Sequence, residues 1–80
     1  MTVYVLRSES TGRYYTGCTE DLENRLHEHN AGENQSTVYG VPWAVIYCEE
    51  VATRSEANRL EKKIKARGAK RYLGDRGEAG

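Results

Sequence analysis

The chain has no phenylalanine, one proline, one tryptophan and two cysteines in 80 residues, and its formal charges cancel to zero. Each scarcity narrows the reading. Two cysteines, Cys18 and Cys48, form no CxxC pair and have no histidine at zinc-finger spacing, so neither a disulfide framework nor a structural zinc site is indicated. Both are expected as buried thiols. No apolar run approaches the roughly 18 residues of a membrane span, and the first residues lack the charged and apolar regions of a signal peptide; a cytoplasmic protein is expected. Zero net charge, taken alone, argues against a chain that coats nucleic acid by electrostatics. Without phenylalanine, the aromatic mass falls to six tyrosines. Their hydroxyls need partners or water, which favours a core open to a cleft.

What is present fits one small domain. A 38% hydrophobic, 30% charged composition is that of a folded globular chain, and the length allows a single core. The neutral average conceals a division. Met1 to Thr53 carries three arginines against eight acidic residues, whereas Arg54 to Arg76 carries nine basic residues against three acidic ones. That asymmetry suits either an anionic partner or a helix with a solvated lysine-rich face.

Thr2 to Ser8 (TVYVLRS) reads as a strand covered on both faces, and Tyr14 to Cys18 (YYTGC), after a Ser/Thr/Gly turn, as its hairpin partner. Thr19 is placed to cap a helix running to about Asn30, with Glu20 and Asp21 in its first turn and Gly32 as a stop. GENQSTVYG makes a polar, mobile loop, and VPWAVIYCEEV a third strand. Thr53 and Glu56 form a capping-box pattern before a helix from about Arg54 to Arg67, whose face Ala57, Leu60 and Ile64 recur at helical spacing. Gly68 ends it, and AKRYLGD gives one further short helical piece. The order is strand, strand, helix, strand, helix, an α+β layout with helices flanking a three-stranded sheet. Residues 1–73 are expected to form the domain and 74–80 a frayed tail.

Several side chains sit where a purely structural sequence would more often place something else. Arg25 and His29, four apart, both fall within about 60° of the core-facing direction set by Leu22. They could line a shared cleft, or Arg25 could simply lay its stem along apolar surface. Glu61 lies at the margin of the second helix's apolar face; Lys65 at i+4 would neutralise it, and a hard divalent cation would do so too. Tyr4 and Tyr15, on the two arms of the hairpin, share a face if odd positions pair with even ones. Gly17 inside a strand marks a close approach of a ligand or another backbone. Trp43 reads as a core anchor rather than a base-stacking platform, and His27 points away from His29.

Thr2-Val3-Tyr4, then Tyr15-Thr16-Gly17, then Asp21-Leu22 with Arg25 and His29, then Glu61-Lys62, in this order and spacing, resembles the GIY-YIG nuclease superfamily, in particular its small stand-alone members. The tripeptides keep their tyrosines and one glycine, while the leading glycine and the middle isoleucines are absent. Cys18 stands where some relatives carry a lysine. The resemblance implies a three-stranded antiparallel sheet and a metal-dependent endonuclease that hydrolyses phosphodiester bonds in nucleic acid, DNA more than RNA. Mg²⁺ or Mn²⁺ is the implied cofactor. Tyr4, Tyr15, Arg25, His29 and Glu61 match the family's catalytic positions, and Glu61 its metal ligand. Lys62, Lys63, Lys65, Lys70 and Arg71 would hold the substrate backbone, together with Gly17 at the second tripeptide. The competing expectation is a nucleic-acid-binding module that kept the fold and lost turnover.

Overall fold

The computed structural model describes residues 1–77. Three strands, β1 (Thr2–Ser8), β2 (Tyr14–Thr19) and β3 (Trp43–Glu50), form an antiparallel sheet in the order β2-β1-β3. Helices α1 (Leu22–Asn30), α2 (Arg54–Arg67) and α3 (Ala69–Asp75) cover it, and a 3₁₀ turn spans Val38–Gly40. The α+β architecture with an antiparallel three-stranded sheet is thus as expected. α3 continues through Gly74 and Asp75; residues 78–80 of the expected tail lie outside the described part.

β1 is central, and its alternation divides the molecule. Val3 and Val5 point to one side, into a core with Tyr47, Ala57, Ile64, Tyr72 and Leu73 supplied by β3, α2 and α3. Tyr4 and Leu6 point to the other, where they meet Trp43 with Tyr15, Leu22 and Leu26 from β2 and α1 packed around them. Both faces of β1 are closed to water, which is why its sequence is an almost unbroken apolar run.

Trp43 and Tyr47 are four residues apart and would share a face in a regular strand. A register shift between Val5 and Leu6, where β1 steps from Tyr47 to Val45, inserts one extra β3 residue and reverses the phase. Trp43 therefore joins Tyr4 and Leu6, while Tyr47 joins Val3 and Val5.

The helix starts follow local chemistry. Asp21, rather than Thr19, caps α1: its carboxylate accepts from the Asn24 amide at 3.1 Å. Thr19 remains in β2 opposite Thr2, and its hydroxyl accepts from the Asp21 amide at 3.1 Å. The carboxylate is the stronger acceptor for the helix end, and the ladder retains the threonine. Thr53 caps α2 as expected, accepting from the Glu56 amide at 3.1 Å, and α2 ends at Gly68, whose φ of 91° suits only glycine. β3 begins at Trp43, two residues later than its apolar run suggests, because Pro42 has no amide hydrogen to donate to a ladder.

Both thiols are free, and the expectation that both are buried fails: Cys48 is exposed and Cys18 half-buried. They lie on β3 and β2, the edge strands, where cover by neighbouring elements is incomplete.

Candidate active site

β1 pairs with β2 so that Tyr4 faces Gly17 and Leu6 faces Tyr15. Odd positions therefore meet even ones, and Tyr4 and Tyr15 lie on the same face, with ring centroids 6.4 Å apart. A side chain at Gly17 would begin 2.7 Å from the Tyr4 hydroxyl and 2.9 Å from its Cζ. Glycine is needed there because the Tyr4 phenol lies across the position toward the β2 edge. The close approach expected at Gly17 is that of Tyr4 itself.

α1 brings His29 onto the pair. Its ring centroid is 6.1 Å from Tyr4 and 5.0 Å from Tyr15, and Trp43 closes the cluster against Tyr15 at 6.4 Å. His29 is 1% exposed and held at both nitrogens: Nε2 is 3.1 Å from the Tyr4 hydroxyl and Nδ1 is 2.8 Å from Thr37 Oγ1. Thr37 is equally buried, and its carbonyl accepts from Trp43 Nε1 at 2.8 Å. Trp43 is a core anchor, as expected. The loop before it is not uniformly loose, since Thr37 is pinned between His29 and Trp43.

Arg25, one turn before His29, is exposed and near Glu28, with a 3.7 Å separation. Its charge reaches both Tyr4 and His29. Glu61 comes from α2, on the other side of the sheet, and its carboxylate adds to the rise that burial gives the Cys18 thiol, whose hydrogen-bond partner is Asn58 Oδ1 at 4.0 Å. It also pairs with Lys65 at 2.7 Å, the neutralising partner expected at i+4. Tyr15 and His29 thus pack against Tyr4 on its own face, while Arg25 and Glu61 act on its phenol by charge from α1 and α2.

This environment sets protonation states. Burial pushes the Tyr4 phenol far above its ordinary range, the neighbouring Tyr15 adds to the rise, and Arg25 opposes it. Burial lowers His29, with Arg25 acting in the same direction, so the imidazole is neutral at pH 7. Lys65 is raised chiefly by its hydrogen bond to Glu61, with Tyr15 and Cys18 adding to the effect, and so stays an ammonium.

Among the described residues, no group of three or more His, Cys, Asp or Glu side chains forms a ready-made metal cage. Glu61 alone fits a different kind of site. Mg²⁺ commonly takes one or two protein carboxylates and completes its shell with phosphate oxygens and water, and the Glu61 side chain keeps 21% of its surface accessible. A cleft of about 400 Å³ lies nearby, lined by Arg25, Glu28, His29, Glu33, Asn34 and Gln35. It touches the cluster only through Arg25 and His29. Neither tyrosine nor Glu61 lines it.

A sequence model of the GIY-YIG catalytic domain matches residues 1–73. The chain belongs to this family. It is 42% identical over 64 residues to a UPF0213 protein of Halobacterium salinarum, covering 79% of this chain and 82% of that one. With a UPF0213 protein of Listeria innocua it shares 40% identity over 79 residues, covering 94% and 87% of the two chains. A UPF0213 protein of Haloquadratum walsbyi is 38% identical over 78 residues, covering 94% and 86%. No solved structure matches the chain. Membership places the protein in a nuclease family whose substrates are nucleic acids and whose members generally use a divalent metal. Among the described residues, no helix is long and apolar enough to cross a membrane.

The remaining candidates separate by place. Lys62, Lys63, Lys70 and Arg71 are exposed on α2 and α3. Lys65, grouped with them from sequence, is also exposed and pairs with Glu61. Sequence reasoning missed Thr37, which sits in a polar stretch with no periodic pattern to single it out. Asn30 was missed as well: its side chain bonds both the amide and the carbonyl of Trp43, at 2.6 and 3.1 Å, and locks α1 to β3.

Proposed function

We propose that the protein is a metal-dependent endonuclease that hydrolyses phosphodiester bonds, with DNA as the preferred substrate. One observation supports the reading: Tyr4, Tyr15 and His29, drawn from β1, β2 and α1, pack together with Tyr4 hydrogen-bonded to His29, and the charges of Arg25 and Glu61 act on the Tyr4 phenol.

Tyr4 is a poor phenolate, because burial holds its proton on. It is well placed as a relay. As water attacks phosphorus, the water O–H bond breaks and its proton goes to the Tyr4 oxygen, while the Tyr4 proton passes to His29 Nε2, 3.1 Å away. Tyr4 remains neutral throughout, and His29, neutral at rest, becomes the cation. Tyr15, against His29, would orient the water or the phosphate. Arg25 would place its planar donors on the phosphoryl oxygens, where negative charge develops. Glu61 would hold Mg²⁺ or Mn²⁺, parting from Lys65 as it does so. The bound metal would polarise the phosphate and steady the leaving oxygen. The exposed Lys62, Lys63, Lys70 and Arg71 would hold the substrate backbone, a contribution weakened by salt. With two free thiols, we assign the protein to the cytoplasm.

The test is incubation with single-stranded, duplex and branched DNA and with RNA, in Mg²⁺ or Mn²⁺, beside Glu61→Gln and Arg25→Ala. The proposal expects metal-dependent cuts by the wild type and their loss in both variants. Tight, salt-sensitive binding without cleavage would favour a binding module that retains the fold, a reading helped by the Glu61–Lys65 pair.

A further inference from the structure

The relay above requires His29 Nε2 to be free of a proton, and a count of the buried hydrogen bonds decides whether it is. Three groups share the chain: the Tyr4 hydroxyl, the His29 imidazole and the Thr37 hydroxyl, each buried at 2% exposure or less. A neutral imidazole has one N–H, so the chain contains three protons. The acceptors are one oxygen on each hydroxyl, one bare ring nitrogen and the Asn34 carbonyl, which lies 3.4 Å from Thr37 Oγ1.

If Nε2 carried the proton, it would donate to Tyr4, and Thr37 would donate to Nδ1. The Tyr4 proton would then have no acceptor among the described residues, since His29 is the one side chain hydrogen-bonded to its hydroxyl, and it would depend on water or substrate reaching the β2 edge. A donor matched inside the protein is favoured over one left to such an intermittent partner. If Nδ1 carries the proton, every donor is used: Thr37 donates to the Asn34 carbonyl, Nδ1–H to Thr37 Oγ1, and Tyr4 O–H to Nε2.

We propose that Thr37 is a positioning residue that holds neutral His29 in its Nδ1–H form, so that Tyr4 points its proton at His29 and turns its oxygen lone pairs toward the β2 edge. Thr37 reaches no reacting atom. It acts through His29, and the 3₁₀ turn serves to present its hydroxyl, fixed by the Trp43 Nε1 bond to its carbonyl and by the Thr37 amide bond to Asn34 at 3.1 Å. The tautomer assignment stands on the hydrogen bonds alone, whereas its catalytic consequence rests on the nuclease reading.

The two are tested apart. In protein labelled with ¹⁵N-histidine and carrying His27→Gln to leave one imidazole, two-bond ¹H–¹⁵N correlations report which nitrogen is protonated. At pH 7.5 or so, Nδ1 is expected to be protonated and Nε2 bare. Thr37→Val removes the acceptor with little change of shape and should move the population toward Nε2–H; Thr37→Ser should keep the wild-type pattern. An Nε2–H signature in otherwise unmutated protein overturns the proposal without reference to any variant's folding. A valine variant that folds and shows no change overturns it as well. In the cleavage assay, Thr37→Val should lose about a hundredfold or more, and Thr37→Ser no more than a few-fold. A wild type with the expected tautomer that cuts nothing would sink the nuclease reading while leaving the assignment intact.

Discussion

The two faces of β1 are made from neighbouring residues of one strand, and they differ in kind. On the Val3 and Val5 side, packing against Ala57, Ile64 and Leu73 excludes water by hydrocarbon, with the two tyrosines of that core at its margin. On the Tyr4 side, Leu6 and Trp43 are joined by a phenol, an imidazole and a threonine hydroxyl linked in a chain. The first face stabilises by area and shape. The second costs more to bury, and every polar group on it is matched, since among the described residues no buried side-chain nitrogen or oxygen lacks a partner. A strand that needed only to hold a sheet together would have used the cheaper face twice.

The sharpest way to separate the faces is to remove charge from one and hydrocarbon from the other. Arg25→Ala should lower the cleavage rate by on the order of 10²–10³, about 3–4 kcal/mol in the barrier. Because Arg25 is exposed, the unfolding free energy measured in urea should change by no more than about 0.5 kcal/mol. Ile64→Ala should do the reverse, costing about 2–5 kcal/mol of stability while leaving the rate per folded molecule near wild type. A large stability loss in the arginine variant would erase the distinction.

Gly17→Ala joins the two effects. The new methyl would meet the Tyr4 phenol at under 3 Å, so about 1–3 kcal/mol of stability should go, and cleavage should fall with it as Tyr4 is displaced from His29. Chemical denaturation and a single-turnover rate on the same sample would show both.

The acid response is smaller and belongs to the Tyr4 face alone. His29 is lowered in the folded state, so below about pH 6.5, the ordinary histidine value, the unfolded chain binds the extra proton and the folded one resists it. Stability should therefore fall as the pH drops through that range, and His29→Gln should flatten this part of the curve. Unfolding midpoints from pH 5 to 8 would measure it; parallel curves would show that burial does not hold His29 neutral. Smallest of all, Lys65→Ala should change stability by no more than about 1 kcal/mol, as a half-exposed pair. It should instead release Glu61 and tighten Mn²⁺ binding.

The helices were legible in the sequence because their ends are local events. Asp21, Thr53 and Gly68 act on amides and dihedrals within a few residues, and only the choice between Thr19 and Asp21 needed the sheet to settle it. The family was legible too, through spacing. The phase of β3 was not: a bulge leaves no mark in an apolar run, and with it went any means of telling that Trp43 and Tyr47 face opposite ways. The expected gathering of Tyr4, Tyr15, Arg25, His29 and Glu61 came from motif spacing; the structure packs Tyr4, Tyr15 and His29 together, with Arg25 on the same helix as His29 and Glu61 on α2 beyond the sheet. Thr37 could not be found at all, since its role depends on a distance to His29 that the seven intervening residues do not determine.

Paramagnetic broadening by Mn²⁺ is the most direct test of a centre at the β2 edge. In ¹⁵N-labelled protein with an uncleavable phosphorothioate oligonucleotide, substoichiometric Mn²⁺ should broaden the amides of Gly17, Cys18 and Glu61 first, and Glu61→Gln should abolish the effect. Broadening centred on Glu28 and Glu33, or unchanged by that substitution, would contradict the account.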